Sequence, residues 1–329
     1  MAKYDIYGVG SALVDTEVKV SNDFLTETGI SKGLMTLVDR SHQLKILDRL
    51  NAQEIVQKCG GSACNSVVAA ASLGATAFFS GRIGNDADGD LYIGDLNDLG
   101  ISYHGERASE GATGQCLVMI TPDAERTMNT CLGASEQLSF EDINTEALQQ
   151  SEWLYIEGYL LTDQSRAEVI QRTVAFAKAN SIKVALSLSD PFVVASCGDV
   201  IHSIIGDGID LLFCNRDEAM AFTSADNIED AADDIKRLSK GFAITDGASG
   251  ALVFDGDDIF HSPGVKTLAV DTNGAGDMFA GAFLYAVVGG HGFHKAGELA
   301  NYCAAQVVKM FGPRLESDQL VNVKREFGL

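Results

Sequence analysis

Basic residues are scarce in this chain. Its 329 residues include 24 Lys and Arg against 46 Asp and Glu, for a formal net charge of −22. Nucleic acids and anionic membranes are bound through clustered Lys and Arg, so neither is expected as a partner. A small phosphate ligand is still compatible, because backbone N–H groups and a metal ion can hold it against the global field. Proline is also rare, with four in all, and that weighs against a disordered chain. The seven cysteines (Cys59, Cys64, Cys116, Cys131, Cys197, Cys214 and Cys303) are odd in number and include no C-x-x-C. They read as small buried hydrophobes in a reducing compartment and leave no structural zinc site. His291 and His294 have loop spacing and no carboxylate partner nearby, so they too are not read as metal ligands. No apolar run reaches the length of a membrane span, and the best of them, 278–288, stops at Gly289-Gly290. The first residues, MAKYDIYGVG, lack the basic and apolar regions of a signal peptide. A soluble, cytoplasmic protein is expected. There is no G-x-x-x-x-G-K-[ST] and no protein-kinase catalytic loop, so neither P-loop nor protein-kinase chemistry applies.

What the chain does have is a sharply defined stretch, Val270-Asp271-Thr272-Asn273-Gly274-Ala275-Gly276-Asp277, leading into an apolar run. It reads as strand end, glycine turn and helix start. A helix N-terminus carries unpaired N–H groups and partial positive charge, and glycines let an anion approach the backbone. A carboxylate at the same spot, Asp277, would be unwelcome in a plain anion site. It is wanted where a hydroxyl must lose its proton while a phosphoryl group is stabilised.

Along the rest of the chain, strands and helices alternate from residue 151 onward, with strands at 153–156, 183–188, 211–214 and 242–245. Repeated βα units imply a mostly parallel sheet covered on both faces. Two segments differ in character. Residues 16–20 alternate like a strand exposed on one face, 33–38 read as another strand, and 114–121 with 125–130 read as a hairpin. Segments 16–38 and 103–131 are therefore expected to form a small β lid, with 1–15, 39–102 and 132–329 making the large α/β domain. Further features fall at strand ends: the glycine turn Gly60-Gly61 with Asn65, the polar segment Asn215 to Glu218, and the glycine turn Thr245 to Gly250 with Gly247 between them. Open α/β sheets place ligands at such strand ends. Asn215 and Glu218 serve equally as an N-cap with a first-turn acid, or as oxygen ligands for a water-mediated Mg²⁺. The Gly8-x-Gly10-x-x-Leu13 start lacks the third glycine of a dinucleotide fingerprint. The acid-rich loop after Asp86 has Asn97 where a calcium loop needs Glu.

DTNGAGD followed by MFAGAFL resembles the second signature of the ribokinase-like (PfkB) carbohydrate kinase family, and GRIGNDADG at 81–89 resembles its first. Asn215 to Glu218 resembles the family's NxxE motif and Thr245 to Gly250 its TxGxxG turn. The order runs through essentially the whole chain. The resemblance implies an α/β fold, a Rossmann-like three-layer sandwich with a mostly parallel central sheet, plus a small β-sheet lid. It implies ATP as donor, Mg²⁺, and a sugar or nucleoside hydroxyl as acceptor. Asp277 is implied as catalytic base, with Gly274, Ala275 and Gly276 supplying the anion hole. Asp15, Gly60, Gly61 and Asn65 are implied as acceptor contacts. Asn215, Thr245, Gly247, Gly250 and Asn301 are implied on the nucleotide side, with Glu218 near Mg²⁺ and Asp271 near a K⁺ site.

Within the family, LSDPF at 188–192, FCN at 213–215 and DTNGAGD are most similar to the adenosine kinase branch. The lid names no base-stacking aromatic. Tyr103, Met35 and Met119 are the candidates there, with lid core the expected role of the methionines. Arg126 reads either as a substrate contact from the lid or, by preference, as an exposed cross-strand charge, and Trp153 as core. A kinase for a free sugar (ribose, fructose or 2-keto-3-deoxygluconate) is the alternative, followed by a non-catalytic ligand-binding protein of the same fold. Monomer and homodimer through the lid are both expected assemblies.

Overall fold

The structure is a computed structural model that describes residues 2–50, 56–123 and 125–329. The chain begins β1 (Tyr4–Val9), β2 (Leu13–Lys19), α1 (Asn22–Thr28), β3 (Met35–Leu37), α2 (Arg40–Arg49), β4 (Val56–Gly60), α3 (Ser62–Leu73) and β5 (Ala77–Ser80). It continues through β6 (Ile83–Gly84), α4 (Ala87–Asp98), β7 (Ser102–His104), β8 (Arg107–Ala108), β9 (Gly114–Ile120), β10 (Arg126–Cys131), α5 (Thr145–Gln149) and β11 (Ser151–Glu157). Then come α6 (Gln164–Ala179), β12 (Lys183–Ser187), α7 (Pro191–Ile205), β13 (Leu211–Asn215), α8 (Arg216–Thr223), α9 (Ile228–Ile235) and β14 (Phe242–Thr245). Last are β15 (Gly250–Phe254), β16 (Ile259–Pro263), α10 (Ala275–Val288), α11 (Gly292–Val307) and α12 (Ser317–Phe327).

Nine strands form one sheet in the order β16-β15-β14-β13-β12-β11-β1-β5-β7. From β14 to β7 the pairs are parallel, as the βα alternation requires; at the edge the β14–β15 and β15–β16 pairs are antiparallel, so β15 alone is reversed. Successive strand residues feed opposite faces. In β11, Leu154 and Ile156 join the core under α6 and α7, while Trp153 and Tyr155 join the core shared with α3, α10 and α11. Both faces of the sheet are thus covered by helices, which gives the three layers expected.

The second sheet runs β3-β10-β9-β2-β4. Val18, Leu117 and Met119 on one of its faces pack with Leu25 and Ile46 of α1 and α2. Its other face carries Leu13, Cys116 and Val118 and looks toward the large sheet. Three expectations need correction. α2 and β4, expected in the large domain, belong to the lid: Ile46 of α2 packs on the lid sheet, and in β4 Cys59 pairs with Val14 and Gly60 with Leu13. Residues 103 and 104, at the expected start of a lid segment, lie in the edge strand β7 of the large sheet. No strand leads into the 271–277 turn. After β16 the chain is irregular, and Val270 is tied to the body by its N–H to the Val308 carbonyl.

Helix α10 is apolar on all sides because it is buried between the large sheet, α3 and α11. Phe283 is fully buried, which contributes roughly 1.5–3 kcal/mol. Where α10 crosses α3, Gly281 lies against main chain, and a Cβ there would come 2.2 Å from the Ser66 carbonyl oxygen. Gly281→Ala is therefore expected to push the helices apart and lower unfolding stability by roughly 1–3 kcal/mol. Denaturant unfolding at fixed pH checks this, with a shifted midpoint at unchanged m-value as the expected result.

Candidate functional site

A cavity of about 350 Å³ opens between the lid and the carboxyl ends of the parallel strands, within the range of small-molecule sites. It is reached by the ends of β11, β12, β13 and β14 and by the N-terminus of α10. This is the switch-point position that open α/β sheets use for ligands.

The floor is built at the α10–α3 crossing. Gly274 caps α10 with φ 71°, and a Cβ there would meet Pro313 at 2.3 Å, so only glycine fits the turn. Three residues on, the Asp277 carboxylate accepts Ser62 Oγ at 2.7 Å and Asn65 Nδ2 at 3.2 Å, both from α3. Burial raises the Asp277 carboxyl above its ordinary range, while these two hydrogen bonds and the Arg126 charge pull it down. Asn65 Oδ1 is buried without a partner, so one polar atom beside the carboxylate is left for a ligand. Gly274, Gly276 and Asp277 line the cavity; Ala275 does not.

Asp15 enters from β2. Burial, then the nearby Glu17, push its carboxyl up to about 8, with Arg314 opposing. Gly60 makes the room it occupies: a Cβ at that residue would lie 2.0 Å from Asp15 Cγ. Gly61, with φ 91°, abuts the Ser11 carbonyl oxygen at 2.1 Å from where a Cβ would stand. Asp15, Gly61 and Asn65 face the cavity, whereas Gly60 supports Asp15 from behind.

At the other end, Asn215 and Glu218 form a reciprocal cap on α8. Asn215 Oδ1 accepts the Glu218 N–H at 2.8 Å, and Glu218 accepts the Asn215 N–H at 3.0 Å and Nδ2 at 2.6 Å. Both also line the cavity, so the capping and ligand-facing roles read from the sequence coexist. Burial lifts the Glu218 carboxyl to about 7, opposed by the hydrogen bond from Asn215. Thr245 and Gly247 line the same end. Gly250 does not; it sits with φ 104° beside Ser262 at the start of β15. Asn301 is buried in α11, and its Nδ2 donates to Ser262 O and Oγ, both at 3.0 Å, outside the cavity lining. Asp271 is fully buried, accepting the Asn273 N–H at 2.8 Å and the Gly312 N–H at 2.9 Å. Among the described residues no cluster of three His, Cys, Asp or Glu is placed to hold a metal.

Arg126, read by preference as an exposed cross-strand charge and otherwise as a lid contact, lines the cavity: from the start of β10 it reaches across the cleft and donates Nη1 to the Thr272 carbonyl at 2.8 Å. One buried neighbour escaped the sequence reading. Glu157 is buried at the end of β11 and accepts the N–H of Ser11 at 2.8 Å and of Ala63 at 2.7 Å, fixing the two segments that carry Asp15 and Asn65. A charge closing an otherwise apolar strand was the available signal. Of the lid candidates, Met35 lines the cavity and Met119 is lid core. Tyr103 belongs to β7 and donates to the Gly81 carbonyl at 2.6 Å, away from the cavity lining. Trp153 is core, and His294 stacks on Phe260.

The profile described as "pfkB family carbohydrate kinase" matches residues 30–319. The chain belongs to the pfkB family. Adenosine kinase 2 of Arabidopsis thaliana is 27% identical over 337 residues, spanning 94% of this chain and 96% of the plant protein. Among solved structures, adenosine kinase from Sinorhizobium meliloti superposes with a TM-score of 0.93 at 30% identity, covering 99% of this chain and 100% of that one. A probable sugar kinase from Rhizobium etli CFN 42 gives a TM-score of 0.94 at 29% identity over 100% and 99% of the two chains. This pfkB member is a phosphotransferase with an alcohol group as acceptor, and its ribokinase-like sheet and lid are those of the family. No helix among the described residues is long and apolar enough to cross a membrane.

The elevated Asp15 carboxyl has a consequence for stability. An acid whose folded pKa lies above its unfolded value stabilises the fold at low pH, and that contribution is lost as pH rises through the folded pKa. For Asp15 the loss spans the interval from about 4 to about 8. Ligand-free Asp15→Asn is expected to unfold with a shallower pH dependence across that interval and to be more stable than wild type at pH 8 by ~1 kcal/mol or more. Chemical denaturation at a series of pH values checks the sign.

Proposed function

We propose that the protein is an ATP-dependent nucleoside kinase of the adenosine kinase type, phosphorylating the primary hydroxyl of the sugar. The observation that carries the acceptor class is the lid wall: Met35, Leu37, Cys116, Val118, Met128 and Leu132 turn an apolar surface toward the cavity that holds Asp15 and Asp277. A free sugar offers little to such a surface, whereas a nucleoside offers a planar base to the lid and hydroxyls to the carboxylates. Its adenosine kinase relatives support the same reading.

In this mechanism Asp15 accepts hydrogen bonds from the vicinal sugar hydroxyls. Asp277, aimed by Ser62 and Asn65, takes the proton of the primary hydroxyl. The hydroxyl oxygen bonds to the γ-phosphorus as the bond from that phosphorus to the β–γ bridging oxygen breaks, and ADP leaves. The 274–277 amides and the Arg126 guanidinium offset charge on the transferred group. The nucleotide lies toward Asn215, Thr245 and Gly247.

A paired amide and carboxylate at Asn215 and Glu218, with no compact protein cage around them, fits Mg²⁺, which keeps most of its waters and binds phosphate oxygens. When bound, the ion neutralises phosphate charge. K⁺ near Asp271 rests on the family resemblance alone, since both carboxylate oxygens there are engaged by main-chain N–H groups; no step is assigned to it.

The test is ADP release with adenosine, inosine, guanosine, ribose, fructose and 2-keto-3-deoxygluconate. Nucleosides are expected to turn over fastest; turnover of free sugars alone would overturn base recognition. Asp277→Asn should leave ligand binding intact and lower kcat by at least ~10², and unchanged turnover would remove Asp277 from the role of base.

A further inference from the structure

One buried carboxylate at the seam between lid and body has no part in the chemistry above. Glu17 follows Asp15 by two residues in β2 and therefore shares its face. That face was expected to meet solvent, yet Glu17 is 2% exposed. Among the described residues no Lys, Arg or His forms an ion pair with it. Burying an unpaired carboxylate costs stability, and an apolar side chain would fill the space at lower cost. Among the described residues its side-chain hydrogen bond crosses the seam, and Lys58 and Arg314 act on its charge without forming an ion pair. Oε1 accepts Asn273 Nδ2 at 3.1 Å, and Oε2 rests on Gly312, where a Cβ would stand 3.1 Å away. Asn273 and Gly312 are the two residues whose N–H groups are held by Asp271. Asn273 immediately precedes Gly274, where the chain turns into α10. A second lid strand holds the residue before it, through Arg126 and the Thr272 carbonyl.

We propose that Glu17 is a positioning residue: from the lid it fixes the Asn273 side chain, and with it the entry to the 274–277 turn. Seating of the lid and aiming of the turn's N–H groups then become one event. The role rests on the proposed reading of that turn as the phosphoryl-stabilising element. Because amide direction matters at the transferred group rather than at the acceptor, loss of Glu17 acts on kcat.

Two variants test this. Glu17→Met keeps the volume and removes the acceptor atom; Glu17→Gln keeps an acceptor oxygen and removes the charge. Glu17→Met is expected to melt no lower than wild type while kcat falls about tenfold or more, with acceptor KM within about twofold. Glu17→Gln is expected within about threefold of wild-type kcat. Hydrogen–deuterium exchange on the ligand-free proteins should show faster exchange over 271–277 in Glu17→Met and not in Glu17→Gln. Wild-type kcat in Glu17→Met, equal impairment of the two variants, or a rise in acceptor KM matching the fall in kcat would each overturn the role. Turnover by wild type and its loss in Asp277→Asn test the underlying reading in the same assay. The exchange measurement reads the Glu17 coupling even if no acceptor in the panel is phosphorylated.

Discussion

The hydrogen bonds from Ser62 and Asn65 to Asp277 hold the site together, and they exist because two helices touch backbone to backbone. Gly281 lets α10 press onto α3 at Ser66, which brings the first turns of both helices into one place. One first turn carries the glycine turn and Asp277; the other carries the side chains that orient its carboxylate. Glu157 then fastens the α3 end to the Ser11 segment, so Asp15 enters in register with both. The small residues Gly274, Gly281 and Gly61 are the means by which charged groups from distant parts of the chain are brought together.

The cleft has an unusual electrostatic character for an anion-handling site. Asp15, Glu17, Glu157, Glu218 and Asp277 all border it or its seam, and each has its carboxyl raised mainly by burial. Positive charge facing them comes from Arg126, from the Arg314 guanidinium behind Asp15, from Lys58 near Glu17, from Arg166 near Glu157 and from the helix N-termini. Such a site is held in shape by the fold against its own repulsion. Hydroxyls and cations suit it more than bare anions, in keeping with the proposed acceptor rich in hydroxyls and a proposed phosphate donor paired with a cation.

Much of this was legible in the sequence, for identifiable reasons. The βα alternation after residue 151 leaves one sensible sheet, and DTNGAGD is dense enough in glycine and acid to mark the turn. Asn215 and Glu218 were readable as a cap because capping is local. Contacts fixed only by tertiary packing were not legible. β4 is polar and glycine-ended, and it becomes a strand only because β2 is beside it. The polar face of β2 looked solvent-exposed because alternation reveals two faces without saying what covers either. Arg126 and Glu17 find their partners about 146 and 256 residues away, beyond any local pattern. Asn301 and Gly250 were placed on the nucleotide side by motif position, yet their immediate partner is Ser262, and the cavity begins beyond them.

The lid sheet has one further implication, for how members of such a family diverge. Along β9, Leu117 and Met119 face the lid's own helices, while Cys116 and Val118 face the cavity. Even and odd positions of a single strand thus answer to different demands. Replacements at the even positions can reshape what the cavity accepts without disturbing the packing that keeps the lid folded. Acceptor preference is therefore free to drift while the lid persists, and Asp277 with its glycine turn, on a different element, need not change at all.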